Sequence, residues 1–192
     1  MRYWMDSEFI EDGKTIDLIS IGIVAEDGRE LYAQSVEFNP YNASSWVKEN
    51  IFPYLTLCPY IDTHGDSSIY AQLNEHDLGQ YVHEMERHEI KKNACSWRTR
   101  EQIKAEILAF MDIEKYGRPE LWGYYSAYDH VAFCQLFGTM MDLPEGYPML
   151  TYDLRQWLDW HGMQDVRQPD DSAHNALEDA RWVAETYKRL VR

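Results

Sequence analysis

The sequence predicts an α/β domain that opens on a three-stranded antiparallel meander and continues as helices around a further strand. Two observations predict it. Three apolar runs near the start are separated by two Asp-Gly turns, Asp12-Gly13 and Asp27-Gly28, which is a strong short-range signal for consecutive antiparallel strands. Beyond residue 96, segments with helical spacing flank one short apolar run at 120–125 (ELWGYY). The 192 residues are enough for one domain with a real core.

In chain order, residues 2–10 (RYWMDSEFI) read as the first strand, 15–25 (TIDLISIGIVA) as the second and 30–38 (ELYAQSVEF) as the third. Glycine after aspartate supplies the left-handed position that each intervening turn requires. Residues 42–50 (NASSWVKEN) read as a short helix capped by Asn or Ser. Residues 58–93 are polar and hold four of the seven histidines; 75–92 has the composition of a charged helix, and 59–95 reads as a polar insertion lying over the core. A helix starts near 96–102, capped by Ser96 or Thr99, and runs to about Met111 with Ile103, Ile107, Leu108 and Phe110 at helical spacing. Residues 131–137 continue from Asp129 as an apolar helix. Thr151 is the expected cap of a helix carrying Leu154, Trp157 and Leu158. Residues 172–191 form the last helix, with Ala176, Leu177, Ala180, Val183, Ala184 and Tyr187 inward.

Composition narrows the function classes. The formal net charge is −15, against the basic profile of a protein that grips nucleic acid with a cationic patch. A phosphate substrate would therefore need divalent metal. No apolar run reaches the roughly 18 residues of a membrane span, and no signal-peptide pattern opens the chain. Three cysteines, Cys58, Cys95 and Cys134, show no metal-like spacing; an odd count predicts free thiols in a reducing cytoplasm. His76, His83 and His88 beside Glu84 and Glu86 raise a zinc site, but their spacing fits no zinc motif, and a solvated helix explains them as well.

The chemistry-bearing residues are acids. Asp6 and Glu8 stand two apart in an apolar strand, so both side chains share one face. Two carboxylates there repel and lose hydration unless a cation lies between them or the face is open to solvent. Asp129 falls where a strand runs into a helix, the usual ligand-binding end of α/β sheets. His174 and Asp179 lie five apart at the start of the last helix, about 140° from each other around its axis. At the first turn His174 can reach round to a site into which Asp179 points. Four carboxylates, Asp6, Glu8, Asp129 and Asp179, suit two Mg²⁺ or Mn²⁺ ions, which take hard oxygen ligands. His174, not itself a ligand, suits proton abstraction from water. Each has an ordinary reading too: an exposed strand face for Asp6 and Glu8, a helix cap for Asp129, a surface position for His174. An unpaired Asp179 among inward apolar neighbours is costly under any of them.

Asp-x-Glu, an Asp at a strand–helix junction and then His-x4-Asp, in that order, resemble the DEDDh 3′–5′ exonucleases, whose fold is RNase H-like. HNALEDA at 174–180 is similar to that family's last motif. EFIEDGKTIDLISIGIVAEDGRELYA, ELWG, AYDHVAFCQL and LRQ further resemble the single-domain bacterial exoribonucleases called RNase AS, over most of residues 1–58 and 96–190. The resemblance implies one exonuclease domain over residues 1–192, with a mixed sheet whose opening strands are antiparallel and whose later strands are parallel. It implies a cytoplasmic, Mg²⁺-dependent homodimer that degrades single-stranded RNA from the 3′ end to nucleoside 5′-monophosphates, preferring polyadenylate. Asp6, Glu8, Asp129 and Asp179 become metal ligands and His174 the general base. Phe9, next to Glu8, becomes a contact to the terminal nucleotide, with core packing as its alternative. Three positions depart from the broader pattern: Phe9 where Thr is frequent, Tyr125 where Asn is, and Tyr128 where Phe is. They bear on substrate grip more than on metal chemistry. The alternatives are a DNA-directed exonuclease of the same superfamily and a non-catalytic RNA-binding module.

Overall fold

Residues 2–35 fold as the expected meander. The structure, a computed structural model, describes residues 1–55, 96–169 and 174–191. The two hairpins join β1 (Arg2–Glu11), β2 (Ile16–Ala25) and β3 (Glu30–Ser35), antiparallel in sequence order. The turn glycines Gly13 and Gly28 have φ of 79° and 88°, the left-handed conformation that Asp-Gly hairpin turns need. The third strand stops at Ser35, three residues before the expected Phe38. Phe38 instead packs on Phe52 and Trp97.

Three short parallel strands complete a six-stranded mixed sheet in the order β4-β3-β2-β1-β5-β6. β4 (Trp97–Arg98) pairs with β3, β5 (Glu120–Gly123) with β1, and β6 (Tyr152–Asp153) with β5, all parallel. The antiparallel start and parallel remainder fit the RNase H-like arrangement expected from the sequence. β1 is central and longer than β5: their pairing covers Arg2 to Trp4, so Asp6 and Glu8 extend past the end of β5.

Alternation along β1 divides the core. Tyr3 and Met5 face α2 (Arg100–Phe110) and α4 (Ala127–Gln135), in a cluster with Ile103, Ile107 and Phe133. Trp4 faces the other side, packed with α5 (Leu154–Trp160) and α6 (Ala176–Leu190) through Leu154, Leu158, Ala180, Val183 and Tyr187. Each large buried side chain contributes about 1.5–3 kcal/mol of burial free energy. Trp97 and Trp122 are core, whereas Trp46 is not. α1 (Ser45–Asn50) is capped by Ser44 and follows a 3₁₀ turn at Pro40–Asn42, so the expected helix from 42 begins later. α3 (Ile113–Tyr116) is a single turn capped by Asp112.

Several expected boundaries move for identifiable reasons. Thr99 caps α2 in a capping box with Gln102, which releases Trp97 and Arg98 to pair with β3. α4 starts at Ala127 rather than at 131. α5 is capped by Asp153, not Thr151: its carboxylate accepts from the backbone N–H groups of Arg155 and Gln156. The last helix starts at Ala176, capped by Asn175, so its first expected turn is absent at His174. Of Lys14, Arg98, Arg100 and Arg155, basic residues among which the sequence alone selects no phosphate contact, the three arginines pair with Glu106, Asp17 and Asp159. Cys134 is free and buried. Cys58, Cys95 and the His-rich stretch with its expected charged helix lie outside the described residues. Among the described residues no helix is long and apolar enough to cross a membrane.

Candidate active site

The side chains of Asp6, Glu8 and Asp179 converge above the sheet. One oxygen from each lies within 4.8 Å of the others. β1 supplies Asp6 and Glu8 on the face shared with Trp4, as period-2 alternation requires. α6 supplies Asp179 from the opposite layer, on the inward stripe with Ala176, Ala180 and Val183.

Gly22 makes this meeting geometric. It lies opposite Asp6 in the β1–β2 ladder. A Cβ at Gly22 would sit 2.3 Å from the carbonyl oxygen of Ala176 and 2.4 Å from the Cα of Leu177. The start of α6 therefore rests directly on the backbone of β2, one strand away from Asp6. Gly22→Ala is expected to push that helix end off the sheet, at about 1–3 kcal/mol by overpacking. For a domain of this size that is a fall of about 2–4 °C in Tm per kcal/mol, read by thermal denaturation. An unchanged Tm would contradict the close approach.

Asp129 reaches the site by a different route. It is the third residue of α4, buried, and does not cap the helix. Its Oδ1 accepts from the Ser7 backbone N–H at 2.9 Å and from the Ser7 hydroxyl at 2.6 Å. Because β5 has ended, α4 sits where β1 has no parallel neighbour, and Ser7 bonds Asp129 in place of a strand. Asp129 is outside the triad of converging oxygens, but its charge acts on both Asp6 and Glu8.

The four acids form one electrostatic unit. Burial first, then the charges of Asp129, Glu8 and Asp179, hold the Asp6 carboxyl well above the usual carboxylate range. Burial, then Asp179 and Asp129, pushes Glu8 up to about 8. Asp129 is raised to about 6 by burial, against the lowering effect of its two Ser7 bonds. Asp179 is raised to about 6 by burial, while the His174 backbone N–H and the Gln168 amide pull the other way. The charges acting on Asp6 are all carboxylates, so the group stores repulsion that a cation would relieve.

His174 stands just before α6, not on its first turn. Its φ is 80°, a left-handed conformation uncommon for residues other than glycine, though asparagine, aspartate and histidine adopt it more often than the rest. Its backbone N–H donates to Asp179 Oδ2 at 2.9 Å, and its ring meets Trp46 edge-on at 4.8 Å between centroids. The backbone of His174 thus orients one ligand candidate while its imidazole lies against α1. Phe9 is half-buried and packs edge-on against Tyr128 at 5.9 Å.

Three contributors have no counterpart in the sequence reading, and a fourth, Asp153, reads there only as a solvated helix position. Ser7 lay unremarked between Asp6 and Glu8, although a hydroxyl in an apolar strand is itself a signal. Gln168, which bonds Asp179, sits in a loop without periodicity. Asp153 is not simply solvated on a helix: it caps α5 and accepts from the backbone N–H groups of Tyr125 and Ser126, so the cap also brackets the loop that leads to Asp129. Its place directly before Leu154 was the available clue. Gly22 was visible only as one residue of an apolar run.

The 3′-5′ exoribonuclease Rv2179c-like domain family matches residues 1–191. Two curated relatives from Mycobacterium tuberculosis are each 40% identical over 181 residues, covering 94% of this chain and 88% of the relative. They are 3′-5′ exoribonuclease Rv2179c of strain ATCC 25618 / H37Rv and 3′-5′ exoribonuclease MT2234.1 of strain CDC 1551 / Oshkosh. With a match of this extent, the chain belongs to the Rv2179c-like 3′-5′ exoribonuclease domain family.

Proposed function

We propose that this chain is a DEDDh-type 3′–5′ exoribonuclease of the RNase AS kind. It shortens single-stranded RNA from the 3′ end, with a preference for adenylate, and releases nucleoside 5′-monophosphates. One exonuclease domain spans the chain, works in the cytoplasm and pairs as a homodimer. The observation that carries the reading is the convergence of Asp6, Glu8 and Asp179 from two layers of the fold, with Asp129 coupled to them. The relatives' exoribonuclease names support RNA as the substrate.

The donor set fits Mg²⁺ or Mn²⁺: hard carboxylate oxygens, close together and strained by mutual repulsion. Asp6, Glu8, Asp129 and Asp179 would hold two ions. Such ions, when bound, offset charge on the phosphodiester and lower the pKa of water. The chain's own residues do the rest. His174 takes the proton from the attacking water. The water oxygen bonds to phosphorus, the bond from phosphorus to the 3′ oxygen of the preceding nucleotide breaks, and that oxygen takes a proton from solvent to become the new 3′ hydroxyl. Ser7 holds Asp129 in place, and Gln168 with the His174 backbone holds Asp179. Phe9, beside Glu8, flanks the terminal nucleotide.

A length-resolved digest tests the reading. With Mg²⁺, 5′-labelled oligo-rA should give a descending ladder, oligo-dA of equal length should give little, and EDTA should stop both. Equal digestion of the deoxy strand would favour a DNA-directed enzyme. No digestion of either would favour a binding module.

The shifted carboxylates give a second expectation. Their folded pKa values lie above the unfolded ones, so each favours the folded state fully below about pH 4. That contribution is lost as pH rises through about 6 for Asp129 and Asp179 and about 8 for Glu8. In EDTA, Tm should fall between pH 5 and 9. Excess Mg²⁺ should offset the fall, with the largest gap at the alkaline end. A gap independent of pH would count against these acids as the ligands.

A further inference from the structure

Trp46 is one of two exposed tryptophans, with Trp160. It lies on the six-residue helix α1 and keeps 51% of its surface exposed, while Trp4, Trp97 and Trp122 are buried. The core does not explain it. Its ring contact is with His174, edge-on, at 4.8 Å between centroids and 84° between planes, a favoured geometry for two aromatic rings.

His174 needs such a contact. It stands just before α6, outside the helix. Its left-handed backbone is fixed by the N–H bond to Asp179, a main-chain bond that does not involve the ring. The backbone fixes where the ring starts, and Trp46 limits where it points. α1 is in turn held by the Ser44 cap, whose hydroxyl accepts from the Val47 N–H at 3.3 Å, and by buried Val47.

We propose that Trp46 is a positioning residue for His174, its indole fixing the imidazole in the orientation that takes a proton from the attacking water. This rests on the proposed hydrolytic role of His174. A general base misplaced by about 1 Å can cost about 10²-fold in rate, so a side chain that touches no substrate can matter this much.

The test combines kinetics with a reading that does not depend on turnover. Trp46→Ala should lower kcat on oligo-rA by about 10–100-fold while KM stays near wild type. Trp46→Phe, which keeps an aromatic edge, should recover most of the loss. In a His174→Ala background, Trp46→Ala should cost nothing further, because the group it positions is gone. Independently, the ring protons of His174 in the NMR spectrum should carry an indole ring-current shift that Trp46→Ala abolishes, whether or not the protein cleaves RNA. Loss of that shift together with full kcat would overturn the positioning role, as would an equal cost of Trp46→Ala with and without His174. A rise in KM alone would overturn it too, assigning Trp46 to substrate binding. If the wild type shows the ring-current shift but no hydrolysis, it is the proposed function that fails, and the contact stands.

Discussion

Asp6→Asn should abolish RNA hydrolysis and at the same time stabilise the metal-free protein. The two effects share one cause. Asparagine keeps the shape of Asp6 and removes its charge. Asp6 lies among three other acids that raise one another's pKa values, so one charge fewer relieves repulsion in the empty site. Under the proposed function the same charge would be a metal ligand, and metal-ion catalysis supplies several kcal/mol of transition-state stabilisation. At about 1.4 kcal/mol per tenfold change, the loss is about 10³-fold or more in kcat. The check pairs a rate in Mn²⁺ with a melt in EDTA at pH 8. The rate should collapse and Tm should rise. A Tm that falls would make Asp6 a structural acid whose charge the fold uses, and a rate within tenfold of wild type would remove it from the reaction.

Removing the imidazole of His174 should lower kcat by about 10²–10⁴-fold, the usual contribution of a positioned general base, with metal affinity nearly unchanged. The backbone complicates the choice of variant. At φ 80° alanine is strained, whereas asparagine tolerates the left-handed region. His174→Asn therefore separates the two roles of this residue. It keeps the N–H bond that orients Asp179 and loses the proton acceptor. His174→Asn and His174→Ala should share the rate defect, and Ala should add a stability loss of about 1 kcal/mol. Mn²⁺ titration by calorimetry should give near wild-type affinity for Asn. If affinity falls as far as the rate, His174 acts through Asp179 and not on water.

Much of this site is legible in the sequence because strand alternation is local. Tyr3, Met5 and Ser7 on one face and Trp4, Asp6 and Glu8 on the other follow from position alone, and the structure places the two core clusters accordingly. The inward stripe of the last helix likewise carries Asp179 into the fold. That helix starts at Ala176 rather than at 172: Asn175 accepts from the N–H groups of Leu177 and Glu178 and leaves His174 outside. The angular argument about His174 and Asp179 on one helix therefore does not apply. What joins them is a backbone hydrogen bond. Asp129 shows the same limit. An Asp near a helix start reads as a cap, and only the shortness of β5 turns it toward Ser7 instead.

By itself the sequence determined the meander, the facing of each β1 side chain and the order of the acids, because turn chemistry and periodicity act within a few residues. The tertiary structure alone decided that α6 rests on Gly22, that Ser7 and Gln168 hold two of the acids, and that Trp46 lies against His174. Those contacts join residues far apart in the chain, and each depends on the space left by small side chains and short strands. No local spacing encodes that space; it exists only once the layers have packed.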